Sequence, residues 1–104
     1  MAIRLDLNNP EFQSQWFALE KEERAAVLNS CIKIAAITWE ELYRDKGFHW
    51  EAIQGRTAKD GSKLYSIRIT KKMRAIATRS GEFLELLILH PDHDSAYQIG
   101  RAHV

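Results

Sequence analysis

The pattern of apolar and polar positions begins with a short strand and continues into helices. Residues 2–7 alternate apolar and charged side chains, which predicts a half-buried strand. Asn9 followed by Pro10 is a typical helix N-cap with proline at the first helical position. The first helix is expected to present Phe12, Trp16, Phe17 and Leu19 to the core.

A second helix is predicted over about residues 21–37, where apolar residues recur at helical spacing. The positions expected to be buried are Ala25, Leu28, Ile32 and either Ala35 or Ala36. Thr38 and Glu41 match a capping box, which predicts a new turn or short helix that ends before Gly47. Residues 48–60 lose the pattern and are expected to form a loop.

The pattern changes to strand alternation after Lys63. Tyr65, Ile67 and Ile69 are expected on one face, and Ser66, Arg68 and Thr70 on the other. Residues 73–79 form the next predicted strand, followed by a hairpin turn at Ser80-Gly81. Residues 83–89 are a near-continuous apolar run, typical of a central strand that ends before Pro91.

These elements predict an α+β fold in the order β-α-α-β-β-β. The sheet is expected to be dominated by antiparallel pairs, with the helices on one face. Asp94 is a candidate cap for a short C-terminal helix over residues 94–101. A chain of 104 residues has the size of a single domain, 1–104.

Composition narrows the class of protein. Apolar residues make up 45% of the chain and charged residues 28%, which argues against disorder. The lone Cys31 excludes an intramolecular disulfide and favours a reducing cytoplasm. No apolar run approaches the ~20 residues of a membrane span, and the N-terminal charges do not fit a signal peptide.

Charge is unevenly distributed although the net charge is only +1. Residues 1–53 hold six basic and nine acidic side chains, whereas residues 54–104 hold nine basic and five acidic, which gives net charges of −3 and +4. Residues 63–79 contain six Lys or Arg and no acid. We therefore predict an anion site in which Lys63, Arg68 and Arg74 reach one ligand.

Candidate acid and base residues follow the third predicted strand of this block. They are His90, Asp92, His93 and Tyr97. Histidine titrates near neutrality, so this group beside a cationic patch suits phosphate chemistry on RNA. A metal site is the alternative for His90, Asp92, His93 and Asp94, but the run contains a proline and no distant His/Cys pair completes it. No metal and no cofactor are expected.

This part of the chain resembles the RelE/ParE superfamily of bacterial toxins. The resemblance rests on Tyr65, Arg68, the turn 70–72, Arg74, the apolar strand 83–89 and the polar tail 90–97. The six-residue gap from Arg68 to Arg74, preceded by Y-S-I-R-I, is most similar to the HigB branch. The resemblance implies a RelE-like fold and a small cognate antitoxin as partner.

The ribonuclease members imply a specific chemistry, in which messenger RNA is cut at the ribosomal A site without a metal. The 2′-hydroxyl attacks the adjacent phosphate, which requires a base, cations for the phosphorane and an acid. By position, Arg74 corresponds to the arginine that stabilises the transition state. Arg68 and Lys63, with Lys71 and Lys72 in the turn, correspond to phosphate-binding residues.

The same resemblance assigns the proton-transfer groups. Tyr97 corresponds to the C-terminal tyrosine, and His93 and His90 are candidates for the acid or base, with Asp92 able to orient one of them. Glu51 corresponds loosely to a region that supplies a carboxylate base in one branch.

Two other functions share this fold. One is a ParE-like toxin that inhibits DNA gyrase without cutting nucleic acid, and the other is an interaction module without toxicity. The histidines and Tyr97 favour the ribonuclease, whereas the near-neutral net charge favours the alternatives.

Overall fold

The structure of the protein, a computed structural model, describes residues 2–91 and the side chains of residues 2–90. Its elements in chain order are β1 (Arg4–Asp6), α1 (Pro10–Ala18), α2 (Lys21–Ala35), α3 (Trp39–Arg44), β2 (Glu51–Thr57), β3 (Lys63–Thr70), β4 (Met73–Ser80) and β5 (Phe83–Pro91). None of the helices in this part of the chain is long and apolar enough to cross a membrane.

Two helix starts follow the predicted capping chemistry. The Asn9 side-chain oxygen accepts hydrogen bonds from the backbone N–H groups of Glu11 and Phe12 at 2.9 and 3.1 Å. Thr38 and Glu41 form a complete capping box at the start of α3. Both sets of bonds satisfy backbone donors that the first turn of a helix leaves without partners.

The five strands form one sheet in the order β1-β5-β4-β3-β2. β1 pairs with β5 in parallel, and the other three pairs are antiparallel. The α+β fold with a mainly antiparallel sheet is therefore confirmed. β5 lies between the first strand of the chain and β4, so both of its edges are paired, and its Leu84, Leu86 and Leu89 are buried in the core.

The segment predicted as a loop, residues 48–60, contains a strand. β2 pairs with β3 at the edge of the sheet, with a register irregularity between Ala52 and Thr57. Only Ile53 in β2 is partly buried, while its other residues are exposed. An edge strand that buries so little apolar surface does not alternate apolar and polar residues, so the sequence gives no pattern from which this strand can be predicted.

α2 is rotated relative to the sequence prediction. Val27, Cys31 and Ile34 face the core, whereas Leu28 is 47% and Ile32 58% exposed. Ala25, Ala35 and Ala36 are also exposed. The helix carries two apolar stripes, and periodicity gives the spacing of a stripe without showing which one meets the sheet.

The core lies between the helices and one face of the sheet. Its largest fully buried side chains are Trp39, Phe12, Ile34, Leu42, Ile67, Leu84, Leu86 and Val27. In α1, Phe12 is buried and Trp16 and Leu19 are partly buried, as predicted. The prediction that Phe17 faces the core is wrong, because its side chain is 62% exposed. The Ser30 hydroxyl donates to the Ile69 carbonyl and fastens α2 to β3.

Candidate functional site

Three cationic or titratable residues lie side by side across three adjacent strands. Arg68 of β3 pairs in register with Arg74 of β4, and Arg74 pairs with His90 of β5. Directly opposed residues in antiparallel strands share a face, with Cβ atoms about 4.5–5.5 Å apart. Their neighbours Ile67, Ala75 and Leu89 are buried in the core, so this row lies on the face away from the helices. We call Arg68, Arg74 and His90 the cationic row.

The guanidinium groups of the cationic row keep their charge available. Arg74 Nη1 donates to the Ser66 hydroxyl at 3.3 Å, which is a neutral partner. Within residues 2–90, neither Arg68 nor Arg74 forms a salt bridge. Arg74 and His90 are exposed and Arg68 is partly exposed. A cation without an acidic partner on a rigid strand is suited to bind an anion from solution.

Lys63 does not belong to this site. It begins β3, five residues before Arg68, which corresponds to about 17 Å along a strand. An odd separation also places the two side chains on opposite faces of the sheet. The prediction that Lys63 reaches the same anion as Arg68 and Arg74 is therefore wrong, because a basic run along a strand alternates between faces.

The lysines of the β3–β4 turn lie next to the cationic row. Lys71 and Lys72 are both exposed, and the Lys72 backbone N–H donates to the Thr70 hydroxyl at 3.2 Å. In the chain they lie between Arg68 and Arg74, separated from the first by two residues and from the second by one. The turn therefore adds the positive charges of two long lysine side chains at one end of the more rigid Arg68–Arg74 pair.

A carboxylate and a second histidine approach the cationic row from β2. Glu51 pairs in register with Ser66, the residue that accepts the Arg74 hydrogen bond. His49 Nε2 lies 3.5 Å from Glu51 Oε2, and His49 has a positive φ of 50°. The sequence offered no reason to connect His49 with the site, because β2 itself could not be predicted.

Tyr65 of the predicted motif and Arg79 of the basic block 63–79 have structural roles. Tyr65 stacks on Trp50 with ring centroids 4.5 Å apart, on the face of the sheet opposite the cationic row. Arg79 lies over the Trp39 ring at 4.1 Å and donates to the Tyr43 hydroxyl. Such a stacked guanidinium is held by packing and cation–π attraction, which removes Arg79 from the anion site.

Several predicted residues cannot be placed relative to the row. Asp92, His93 and Tyr97 lie outside the described residues, as does the expected helix 94–101. Within residues 2–91, no three His, Cys, Asp or Glu side chains are grouped so that they could hold a metal ion. The described chemistry is therefore the cationic row, the turn lysines and the His49–Glu51 pair.

Comparison with known proteins identifies the fold. No family model and no curated protein sequence matches the chain. Among solved structures, it is similar to the archaeal RelE–RelB complex from Pyrococcus horikoshii OT3, at 19% sequence identity and a TM-score of 0.63. The match covers 89% of this chain and 98% of the chain it matches. The arrangement of three helices on a five-stranded, mostly antiparallel sheet is the RelE fold.

Proposed function

From the RelE fold, we propose that this chain is the toxin of a toxin–antitoxin pair and a metal-independent endoribonuclease that cuts messenger RNA. The observation that carries the proposal is the cationic row, which holds two arginines beside a histidine, with no salt bridge from either arginine to an acid among residues 2–90. Backbone phosphates are the ligands that such a row recognises in RNA.

The proposed reaction uses the substrate's own nucleophile. A base removes the proton of the 2′-hydroxyl, the 2′-oxygen attacks the adjacent phosphorus, and the 5′-oxygen leaves with a proton from an acid. Arg74 and Arg68 stabilise the extra negative charge of the phosphorane. His90, His93 and Tyr97 are the proposed proton-transfer residues, with Glu51 as a candidate base because its register places it beside Ser66.

The described geometry favours Arg74 as the central cation. It is the middle residue of the row, between Arg68 and His90, so a phosphate bound there can also be contacted from both neighbouring strands. Lys71 and Lys72 would contact adjacent phosphates of the same strand. Because the attack uses the substrate's own 2′-hydroxyl, with a base, an acid and cationic donors from the protein, the chemical step itself needs no divalent metal.

Arg74→Ala tests this function. We expect growth inhibition on expression in a bacterium to disappear and cleavage to fall by about 10²–10³-fold, the usual loss when one transition-state donor is removed. Arg4→Ala is the matched control, because Arg4 is an exposed arginine that pairs with Glu82 away from the row. Primer-extension mapping of transcripts measures the cleavage. Undiminished toxicity of folded Arg74→Ala with intact transcripts would refute the ribonuclease proposal.

Further variants separate the roles within the reaction. We expect His90→Ala, His93→Ala and Tyr97→Phe each to slow cleavage by about 10²-fold if the residue transfers a proton. RNA with a 2′-deoxy nucleotide at the cut should resist cleavage, and the product should carry a cyclic phosphate. Retained cleavage of the deoxy substrate would contradict attack by the 2′-hydroxyl.

The proposed partners are a cognate antitoxin and the ribosome-bound message, as in the HigB-like branch. The outer stripe of α2, formed by Ala25, Leu28, Ile32 and Ala35, is an apolar surface suited to an amphipathic antitoxin segment. Co-expression with the neighbouring gene product tests this. Leu28→Lys with Ile32→Lys should abolish co-purification, whereas Glu22→Lys at the start of the same helix should leave it intact.

A gyrase-inhibiting toxin of the ParE type is the second candidate. The net charge of +1 favours it, because a ribonuclease that holds polyanionic RNA benefits from a larger positive charge. Transcript mapping distinguishes the two: a gyrase inhibitor stops growth while messenger RNA remains uncut and DNA supercoiling changes.

A further inference from the structure

The face of the sheet that carries the cationic row continues into an apolar strip and then a carboxylate. Two residues along the strands from the row, Ser66, Ile76 and Ile88 are opposed in register. Beyond them the register shifts by one residue, and Thr78 of β4, two residues past Ile76, opposes Glu85 of β5, three residues before Ile88. Each step is about 6.8 Å, so Glu85 lies roughly 14 Å from the row.

These residues form part of a cleft of about 570 Å³. Its apolar lining contains Leu64, Ile76 and Ile88. Its polar lining contains Arg56 at the end of β2, Lys59 and Asp60 of the β2–β3 loop, and Asn9 and Glu11 at the start of α1. The cleft therefore combines apolar and polar side chains, and Ile76 and Ile88 join it to the cationic row along β4 and β5.

Glu85 is the distinctive polar group in the cleft. It accepts a hydrogen bond from the buried Thr78 side chain, and Asp6 lies opposite it in the parallel pairing of β1 with β5. Burial raises the pKa of the Glu85 carboxyl, and the nearby Asp6 and Asp60 carboxylates raise it further. Such a carboxylate repels phosphate, so it can favour RNA binding only through hydrogen-bond donors, which RNA carries on its bases and its ribose hydroxyls.

We propose that this cleft is a nucleobase subsite, in which the nucleotide whose phosphate occupies the cationic row lays its base on Ile76 and Ile88 and presents its edge to Glu85. The inference rests on the proposed ribonuclease function and adds its base preference. Apolar side chains support the face of a base, and single-stranded RNA is read through the edges of splayed bases.

The chemistry of Glu85 selects among the four bases. Guanine presents two adjacent donors, N1–H and the N2 amino group, which match the two oxygens of a carboxylate. Cytosine and adenine each offer an amino donor. Uracil presents one N–H between two carbonyl oxygens, which the carboxylate repels. The subsite therefore prefers guanine and disfavours uracil.

Sequencing the 5′ ends of cleaved transcripts in cells that express the protein tests the subsite. At one of the two nucleotides that flank the cut, we expect guanine to be favoured over uracil by roughly ten- to a hundredfold, the discrimination given by a good bidentate base contact. Glu85→Gln should collapse this ratio because the amide replaces one acceptor with a donor. Glu85→Asp, which keeps the charge and shortens the side chain, should reduce the ratio partially.

Glu82→Gln is the matched control, since it removes the same charge near the β4–β5 turn, where Glu82 pairs with Arg4 outside the cleft. It should preserve the ratio. Cleavage with no base preference, or a preference that Glu85→Gln leaves intact, overturns the subsite while the ribonuclease function stands. Loss of all cleavage in a folded Glu85→Gln variant also overturns it, because Glu85 then serves every substrate.

Two further outcomes are distinguishable from failure of the subsite alone. One is failure of the proposed ribonuclease function, and the other is binding of a protein instead of a nucleobase in the cleft. If the wild-type protein cuts no transcript and Arg74→Ala changes nothing, the proposed function fails and the subsite fails with it. If Glu85→Gln blocks co-purification with the antitoxin and leaves base preference unchanged, the cleft is a protein-binding site and the nucleobase assignment is wrong.

Discussion

At the scale of single residues, chemistry depends on the neighbour across the strand more than on the neighbour in sequence. Lys63, Arg68, Arg74 and Arg79 form one basic block in the sequence, but only Arg68 and Arg74 meet on one face. The strand period of two predicts which residues alternate, whereas register decides which alternating residues meet. Arg68 and Arg74 were therefore predictable as a pair, and His49 beside Glu51 was not.

Cys31 gives a prediction at the same scale. It is buried, and burial raises the pKa of its thiol from the ordinary 9.0 to about 11. The unfolded chain therefore loses this proton first as the pH rises, so the contribution to stability is complete below pH 9 and is lost between pH 9 and 11. By pH 11 the free energy of unfolding has fallen by about 2–3 kcal/mol through this group. Urea denaturation at pH 8 and pH 10.5 measures it.

Cys31→Ala is the control for this prediction. The variant should be less stable at every pH because it leaves a small cavity, but its stability should fall less between pH 8 and 10.5 than that of the wild type. An equal fall in both proteins would show that other groups cause the alkaline loss. Native Cys31 should also resist alkylation by iodoacetamide at pH 8 and react after unfolding.

At the scale of elements, α2 shows how far an amphipathic pattern can be interpreted. Its two apolar stripes are both regular, and the sequence favoured the one that contains Leu28 and Ile32. The sheet instead contacts the stripe with Val27, Cys31 and Ile34. Helix existence and boundaries followed from local signals, while its rotation depended on tertiary packing that local signals do not contain.

This rotation predicts opposite outcomes for two substitutions in one helix. Ile34→Ala should cost about 2–5 kcal/mol of unfolding free energy, since Ile34 is fully buried. Ile32→Ala should change stability by less than about 0.5 kcal/mol, because its side chain is 58% exposed. Urea denaturation of the isolated protein measures both. A larger loss for Ile32→Ala would place the outer stripe in the core.

At the scale of the whole molecule, charge is arranged locally. The formal net charge is +1, yet Arg68 and Arg74, which form no salt bridge within residues 2–90, share one face with Glu85, roughly 14 Å away. For the proposed RNA ligand, long-range attraction is therefore weak and affinity depends on few contacts. The α+β class and the cationic face were predictable from the sequence. β2 and the cleft depend on how strands pair, and they were not.

This arrangement predicts a shallow dependence of RNA binding on salt. With about two to four phosphates neutralised, the logarithm of affinity should fall against the logarithm of salt concentration with a slope of roughly −1.5 to −3. Arg74→Ala should reduce the slope by about 0.7, and Arg4→Ala should leave it unchanged. Fluorescence anisotropy with a short 2′-deoxy-blocked RNA measures the slope. A wild-type slope near −7 would indicate many more phosphate contacts than the row supplies.

The position of β5 in the sheet also sets the order in which the candidate site is assembled during synthesis. β5 is translated after every strand with which it pairs, and it joins β1 to β4. Until β5 has been made, a nascent chain has Arg68 and Arg74 on the β3–β4 hairpin without His90, and residues 4–6 lack the strand with which they pair. Closing so long a loop is slow, so the row of Arg68, Arg74 and His90 is completed after a delay. For the proposed toxin, that delay gives an inhibitor time to meet the chain before its site is complete.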